Sequence, residues 1–276
     1  MTMQGSVEEA IDIARGGRIL AVTGAGMSTD SSLPDYRGTG STPTTPVDVD
    51  MFTSDPVWYR WLWYRNEATW KILENCQPND GHRALATMEA SGHLLGVSTQ
   101  NVDRLDARAG TRNVWELHGR YDTVECLSCG SVTPRAALSV RLRALNPDLV
   151  EETDPAHVDI TPDARRDLAE VCTFTPVYCE RCGGMLKPSI VMFGEGLPES
   201  AFGPSLDMAA SCNVVLVAGT SLAVSTGLWV VHEAMRAGAA LIVVNRGVTA
   251  VDRFADVRIE AGTSEVLPQI ASALAG

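Results

Sequence analysis

The sequence predicts an α/β protein, a Rossmann-like and mostly parallel sheet with helices on both faces, plus a smaller inserted zinc-binding module. Three observations lead there. Short apolar runs alternate with helical segments, the pattern of successive βαβ units. One of those runs enters the glycine turn Gly24-Ala-Gly26 directly, as at the start of a dinucleotide-binding unit. Two cysteine pairs, Cys126-Leu-Ser-Cys129 and Cys179-Glu-Arg-Cys182, have the spacing of metal ligands.

The elements follow in order. Ser6-Val-Glu-Glu9 is a capping box, and Val7, Ala10, Ile11 and Ala14 continue it at helical spacing until Gly16-Gly17. Arg18 to Thr23 reads as a buried strand. Further strands are expected at Leu94 to Ser98, Asn213 to Ala218 and Leu241 to Asn245, with a helix over Leu228 to Ala237. Residues 38–78 break the rhythm. They are rich in Thr, Pro and aromatics, including Trp58, Tyr59, Trp61, Trp63, Tyr64 and Trp70. Aromatics this dense either line a hydrophobic channel or pack a small helical layer. Residues 122–186 carry both cysteine pairs, and the main sheet is expected to resume at about Lys187.

Composition sets the class. Among 276 residues, 45% are hydrophobic and 20% charged, which excludes a largely disordered chain. The longest apolar runs, such as Ala239 to Val244, are far shorter than a bilayer requires. The first residues lack the basic and apolar regions of a secretory signal, so a soluble, cytoplasmic protein without membrane contact is expected. A net charge of −12 repels a phosphate backbone, which argues against direct nucleic-acid binding and leaves basic peptides open.

Seven cysteines are an odd number in a sequence that shows no export signal, so a disulfide framework is not expected. Each close pair is followed by a glycine, Gly130 or Gly183, that permits the positive φ of a tight metal-binding turn. Two such turns give four thiolates and no open position, so the metal would be structural. The other reading is two redox or incidental pairs. Cys76, Cys172 and Cys212 read as small buried hydrophobes.

Two loops and a histidine carry the chemistry. The turn from Gly24 to Ser28 lets backbone approach a diphosphate at a helix N-terminus, although the third glycine of the usual fingerprint is missing. Gln100, Asn101 and Asp103 follow a predicted strand and suit ribose hydroxyls and a carboxamide. His118, in Glu116-Leu-His-Gly119, is either a general base or a structural hydrogen-bonding residue.

Together these segments resemble the sirtuin family of NAD-dependent protein-lysine deacylases. The resemblance runs through Gly24 to Gly38, Thr99 to Leu105, Leu117-His-Gly119, both cysteine pairs, Lys187 to Glu195, Gly219-Thr-Ser-Leu222 and Asn245, in the family's order. Pro34-Asp-Tyr-Arg37, Lys187 and Asn245 to Thr249 are most similar to the mitochondrial-type class and its bacterial relatives.

The resemblance implies NAD as co-substrate, structural zinc, acyl-lysine proteins or peptides as partners, and acyl transfer to ADP-ribose with release of nicotinamide. It implies His118, Asn101 and Asp103 as catalytic residues. Cofactor binding would fall to Gly24, Ala25, Gly26, Ser28, Thr29, Asp35, Tyr36, Arg37, Gln100, Val102, Gly219, Thr220, Ser221, Asn245, Arg246 and Thr263, besides the catalytic three. Val191, Phe193 and Gly194 would meet the substrate backbone, and Cys126, Cys129, Cys179 and Cys182 would hold zinc. The expected organisation is a Rossmann-like NAD-binding domain over 1–121 and 187–276, including a cofactor loop and helical insertion at 38–78, interrupted by a zinc module at 122–186. The alternative activity is protein mono-ADP-ribosylation at the same NAD site.

Three positions depart from the family pattern. Ser32 replaces a glycine and costs about 1 kcal/mol if φ is positive there. Asp106 replaces a histidine, and Thr226 stands where a proline often follows the Gly-Thr-Ser-Leu segment.

Overall fold

A computed structural model describes residues 5–35, 47–154 and 171–276. The chain runs through α1 (Val7–Arg15), β1 (Ile19–Thr23), α2 (Val49–Ser54), α3 (Pro56–Asn75), α4 (Asp80–Ala90), β2 (Leu94–Thr99), α5 (Leu105–Arg108) and β3 (Val114–Glu116). It continues with β4 (Gly119–Cys126), β5 (Val132–Pro134), α6 (Arg135–Leu145), β6 (Leu186–Ile190), α7 (Glu199–Ser211), β7 (Val214–Ala218), α8 (Ser225–Arg236), β8 (Ala240–Val244), β9 (Val257–Ile259) and α9 (Thr263–Ala275). The capping box forms as expected, with Ser6 and Glu9 each bonding the other's backbone N–H. No helix among the described residues is long and apolar enough to cross a membrane.

These elements make two compact units. The first contains residues up to Asp35 together with 77–118 and 197–276; the second contains 36–76 and 119–196.

The first unit is a six-stranded sheet in the order β3-β2-β1-β7-β8-β9, with every neighbouring pair parallel. Successive side chains on a strand face opposite ways, and both directions are apolar here. Ile19, Ala21, Leu216, Ala218, Ile242 and Val244 pack on one face with α1, α4 and α9. Leu20, Val22, Val215, Val217, Leu241 and Val243 pack on the other with α7 and α8. That two-sided burial explains why these strands read as unbroken apolar runs.

The second unit holds an antiparallel sheet in the order β5-β4-β6. Lys187 therefore does not resume the parallel sheet. It lies on β6, where Val124 and Glu125 pair with Pro188 and Lys187. Residues 36–76 also join this unit, so it is larger than the 122–186 module read from the sequence. The cause is packing: Phe52, Tyr59, Trp61 and Trp63 share one buried core with Val124, Leu138, Leu142 and Leu186. Tyr59 donates to the Val177 carbonyl at 2.8 Å, and the Trp63 indole donates to the Leu186 carbonyl at 3.2 Å. Of the two readings for the aromatics, these side chains follow the packing one.

A buried charge cluster pins α3 to α6. Glu67 accepts from Arg135 at 2.6 Å, from Ser139 at 2.6 Å and from Arg143 at 2.9 Å. Arg135 also lies over the Trp70 ring, 4.8 Å from its centroid. A buried carboxylate is tolerated because each oxygen is paired. Of the three cysteines outside the pairs, only Cys212 is buried, while Cys76 is half-buried and Cys172 exposed.

Candidate active site

The strand order reverses at β1. The chain leaves it toward β2 and β3 on one side and returns later as β7, β8 and β9 on the other. Loops at the carboxyl ends of strands flank a crevice at such a reversal. The loops after β1, β2, β7 and β8 carry most of the residues singled out by the sequence.

After β1 the backbone enters two tight turns, Ala25–Met27 and Thr29–Ser31. Gly26 and Gly219, at the ends of β1 and β7, approach so closely that neither tolerates a side chain. A Cβ on Gly26 would lie 2.9 Å from the Gly219 carbonyl oxygen, and one on Gly219 would lie 2.3 Å from the Met27 nitrogen. Gly219 also sits at φ +62, which favours glycine.

The β2 loop is tied to this turn through side chains. Asn101 donates through Nδ2 to the Gly24 carbonyl at 3.0 Å and to Ser28 Oγ at 3.1 Å. Ser28 donates to Asp103 Oδ2 at 2.7 Å, and the Leu105 N–H donates to Asp103 Oδ1 at 2.9 Å. Burial raises the pKa of Asp103, and these two hydrogen bonds oppose the rise. Gln100 reaches across to Thr220 Oγ1 at 3.0 Å, and Val102 is buried.

Asn245, after β8, folds its amide back onto the carbonyls of Arg246 and Gly247. Arg246 pairs with Glu265 in the first turn of α9. Thr263 opens that helix and is buried. Ser221 accepts from the Ala250 N–H at 3.0 Å. Thr29 lies beside Gly26, donating to its carbonyl at 3.1 Å. Asp35 ends the described part of this loop, and Tyr36 and Arg37 lie outside the described residues.

His118 follows β3 and belongs to the same unit. Nδ1 is 3.0 Å from the Gln100 carbonyl oxygen, and Nε2 is 2.8 Å from Thr226 Oγ1. The carbonyl can only accept, so Nδ1 carries the proton. Burial lowers the His118 pKa, more than the Gln100 hydrogen bond raises it. The ring is therefore a neutral base at neutral pH, with Nε2 as its proton acceptor.

Ser32, Arg104 and Leu222 are the non-glycine residues with positive φ among those described, at +65, +69 and +54. They lie in the loops after β1, β2 and β7. Strained backbone thus clusters where the loops converge, as at ligand-binding sites generally. At Ser32 the condition stated above is met.

Sequence reasoning passed over two residues of this site. Asn79 caps α4 and donates to the Met27 carbonyl at 2.8 Å and to Ser31 Oγ at 3.1 Å, so it clamps the glycine turn. Its signal was present, as an Asn three residues before His82 at a helix start. Thr226 stands out in the sequence only as a departure from the family pattern, because its partner His118 lies 108 residues away.

In the second unit, the Sγ atoms of Cys126, Cys129, Cys179 and Cys182 all lie within 4.8 Å of one another. Cys126 and Cys182 are 3.5 Å apart, Cys129 and Cys179 3.8 Å. A tetrahedron of thiolates at about 2.3 Å from zinc has edges near 3.8 Å, so the donor set fits that ion. Gly130 and Gly183 adopt φ +66 and +73, as the turns require. Val191, Phe193 and Gly194 follow β6 in this unit. The Phe193 carbonyl accepts from the Val49 N–H at 3.0 Å, and the Phe193 side chain is 54% exposed.

The fold and the first unit's loops define a dinucleotide-binding α/β protein that carries a four-cysteine module. The Sir2 family model matches residues 24–226, and the chain belongs to that family. It is 44% identical to NAD-dependent protein deacetylase 1 of Mycobacterium avium (strain 104), over 96% of this chain and 95% of that one. It is 39% identical to NAD-dependent protein deacetylase 1 of Streptomyces coelicolor, over 95% and 88%. Among solved structures, a Sir2–p53 peptide–NAD+ complex superposes with a TM-score of 0.76 at 27% identity, covering 97% of this chain and 98% of that one. A Sir2 homologue–NAD complex gives a TM-score of 0.76 at 28% identity, covering 99% and 96%.

Proposed function

We propose that this chain is an NAD-dependent protein-lysine deacylase that transfers the acyl group to ADP-ribose and releases nicotinamide. The observation that carries the reading is His118, a neutral, half-buried imidazole with Nδ1 committed to the Gln100 carbonyl and the lone pair of Nε2 facing the Thr226 hydroxyl. It is held by the same loop as Asn101 and Asp103. The two deacetylases named above and the NAD-bearing Sir2 structures support it.

NAD, when bound, supplies a glycosidic carbon with nicotinamide as leaving group and a sugar that accepts the acyl chain. Gly24, Ala25, Gly26, Ser28 and Thr29 would hold its diphosphate side, joined by Asp35, Tyr36 and Arg37. Gln100, Asn101, Val102 and Asp103 would orient the nicotinamide half, and Gly219, Thr220, Ser221, Asn245, Arg246 and Thr263 the adenosine half. His118 would serve as the general base, becoming protonated at Nε2 as a sugar hydroxyl is deprotonated. Asn101 keeps the loop after β2 in register with Gly24 so that this geometry exists before ligands arrive.

Acyl-lysine proteins or peptides are the substrates, and Val191, Phe193 and Gly194 would pair with their backbone by strand addition. Zinc held by the four thiolates supports the second unit and takes no part in the chemistry. Unbridged cysteines throughout suit a reducing cytoplasm.

Incubation with NAD and an acetyl-lysine peptide, followed by mass spectrometry, tests the reading. Equimolar nicotinamide, deacetylated peptide and O-acetyl-ADP-ribose are expected. A protein that gains the mass of ADP-ribose beside unchanged peptide would instead establish the transferase alternative.

A further inference from the structure

Thr226 stands in the first turn of α8 and is buried. Its hydroxyl meets His118 at the only ring position able to accept a proton. Nδ1 is protonated because it faces the Gln100 carbonyl, so the single lone pair of the neutral imidazole sits on Nε2. That lone pair is directed at Thr226 Oγ1, 2.8 Å away, and the hydroxyl donates to it. Base and donor are already paired in the protein alone.

The placement is fixed from both sides. The start of α8 presses on the loop that receives Nδ1, since a Cβ on Gly227 would lie 2.7 Å from Gln100 Nε2. Gln100 in turn is held by Thr220 at 3.0 Å. The Gln100 carbonyl and the Thr226 hydroxyl therefore bracket the imidazole and oppose a ring flip.

We propose that Thr226 is a catalytic proton relay between the sugar hydroxyl and His118. The inference rests on the deacylase reading above. In the step, the substrate O–H bond breaks as a new Thr226 O–H bond forms, while the original Thr226 O–H breaks as Nε2–H forms. The products are an alkoxide and an imidazolium, with one proton gained by the ring and one lost by the sugar. No oxidant, metal or further reactant is needed. A hydroxyl suits the task because it donates and accepts at once.

The test compares Thr226→Val, which keeps the shape and removes the hydroxyl, with Thr226→Ser, which keeps the hydroxyl. In ligand-free protein, nitrogen NMR of His118 should show the Nε2 resonance displaced in T226V and close to its original position in T226S. NAD affinity by calorimetry should stay within about twofold in both, while kcat falls by about 10-fold or more in T226V, as loss of a proton-transfer group implies. T226S should restore most of that loss. Rate against deuterium fraction should bow for the unmodified protein, with two protons in flight, and run straight for T226V.

Overturning results are a T226V enzyme at the unmodified rate, T226S as slow as T226V, NAD affinity lost together with kcat, or a His118 resonance indifferent to T226V. Absence of any deacylated peptide from the unmodified protein would sink the deacylase reading as well. Product from that protein together with an unaffected T226V sinks the relay alone.

Discussion

The side-chain amide of Asn101 donates to the Gly24 carbonyl oxygen at 3.0 Å, tying the loop after β2 to the loop after β1. The bond is buried, and the same amide nitrogen also reaches Ser28.

Asn101→Ala removes that tie and leaves the Gly24 carbonyl with the Met27 N–H as its remaining donor. Deacylation should fall by about 10²-fold, because small misplacements of reacting groups carry penalties of that order. Steady-state kinetics with an acyl-lysine peptide checks it. A variant within a few-fold of the unmodified rate would show that the tie is dispensable.

Asp106 gives a pH prediction. It is buried on α5, and its pKa is pushed up to about 8, first by burial, then by the charge of Asp103, with Glu116 adding to the rise and a Thr99 hydrogen bond opposing it. Oδ1 has no hydrogen-bond partner among the described residues. In the unfolded chain the carboxyl titrates near 3.9, so between roughly pH 4 and 8 the folded state binds the extra proton. Stability from this group is complete below that window and is lost as pH rises through it. Asp106→Asn, which mimics the protonated acid, should match the unmodified protein near pH 4.5 and exceed it at pH 8.5. Urea midpoints that stay parallel across that range would contradict the assignment.

Ser32 adopts φ +65. A left-handed conformation costs an L-residue roughly 1–2 kcal/mol, of which the larger chain entropy of glycine offsets about 0.5–1. Ser32→Gly should therefore raise the denaturant midpoint by the equivalent of about 0.5–1 kcal/mol with an unchanged slope. A lower midpoint would mean that the serine makes a contact worth more than its strain.

Zinc analysis should find about one equivalent per chain, bound by the four thiolates. Chelation, or Cys129→Ala, should lower thermal stability before it alters turnover of whatever protein stays folded. A metal-free preparation with full stability would remove the ion from the account.

Much of this was legible in the sequence. β1 and the glycine turn are local signals, an apolar run feeding Gly24-Ala-Gly26. The cysteine turns are local too, and Gly130 and Gly183 take the positive φ that their place after each pair requires. What a local pattern does not carry is a strand's choice of partner. The segment from Leu186 reads as a strand, yet only pairing with β4 tells which sheet it joins. The aromatics of α3 left channel and core equally open until Trp61 and Trp63 were placed against Leu138 and Leu186. β3 and β9, at three residues each, are too short for periodicity to register. The pairing of His118 with Thr226 depends on bringing β3 to the start of α8, which no spacing along the chain encodes.

The central claim is that His118 is the proton acceptor of an NAD-dependent deacylase. The most direct measurement is kcat for deacylation by His118→Ala, with NAD binding and thermal midpoint determined on the same preparation. The account predicts a loss of about 10²-fold or more with NAD affinity and fold retained. Deacylation by His118→Ala at a rate close to that of the unmodified protein would contradict it.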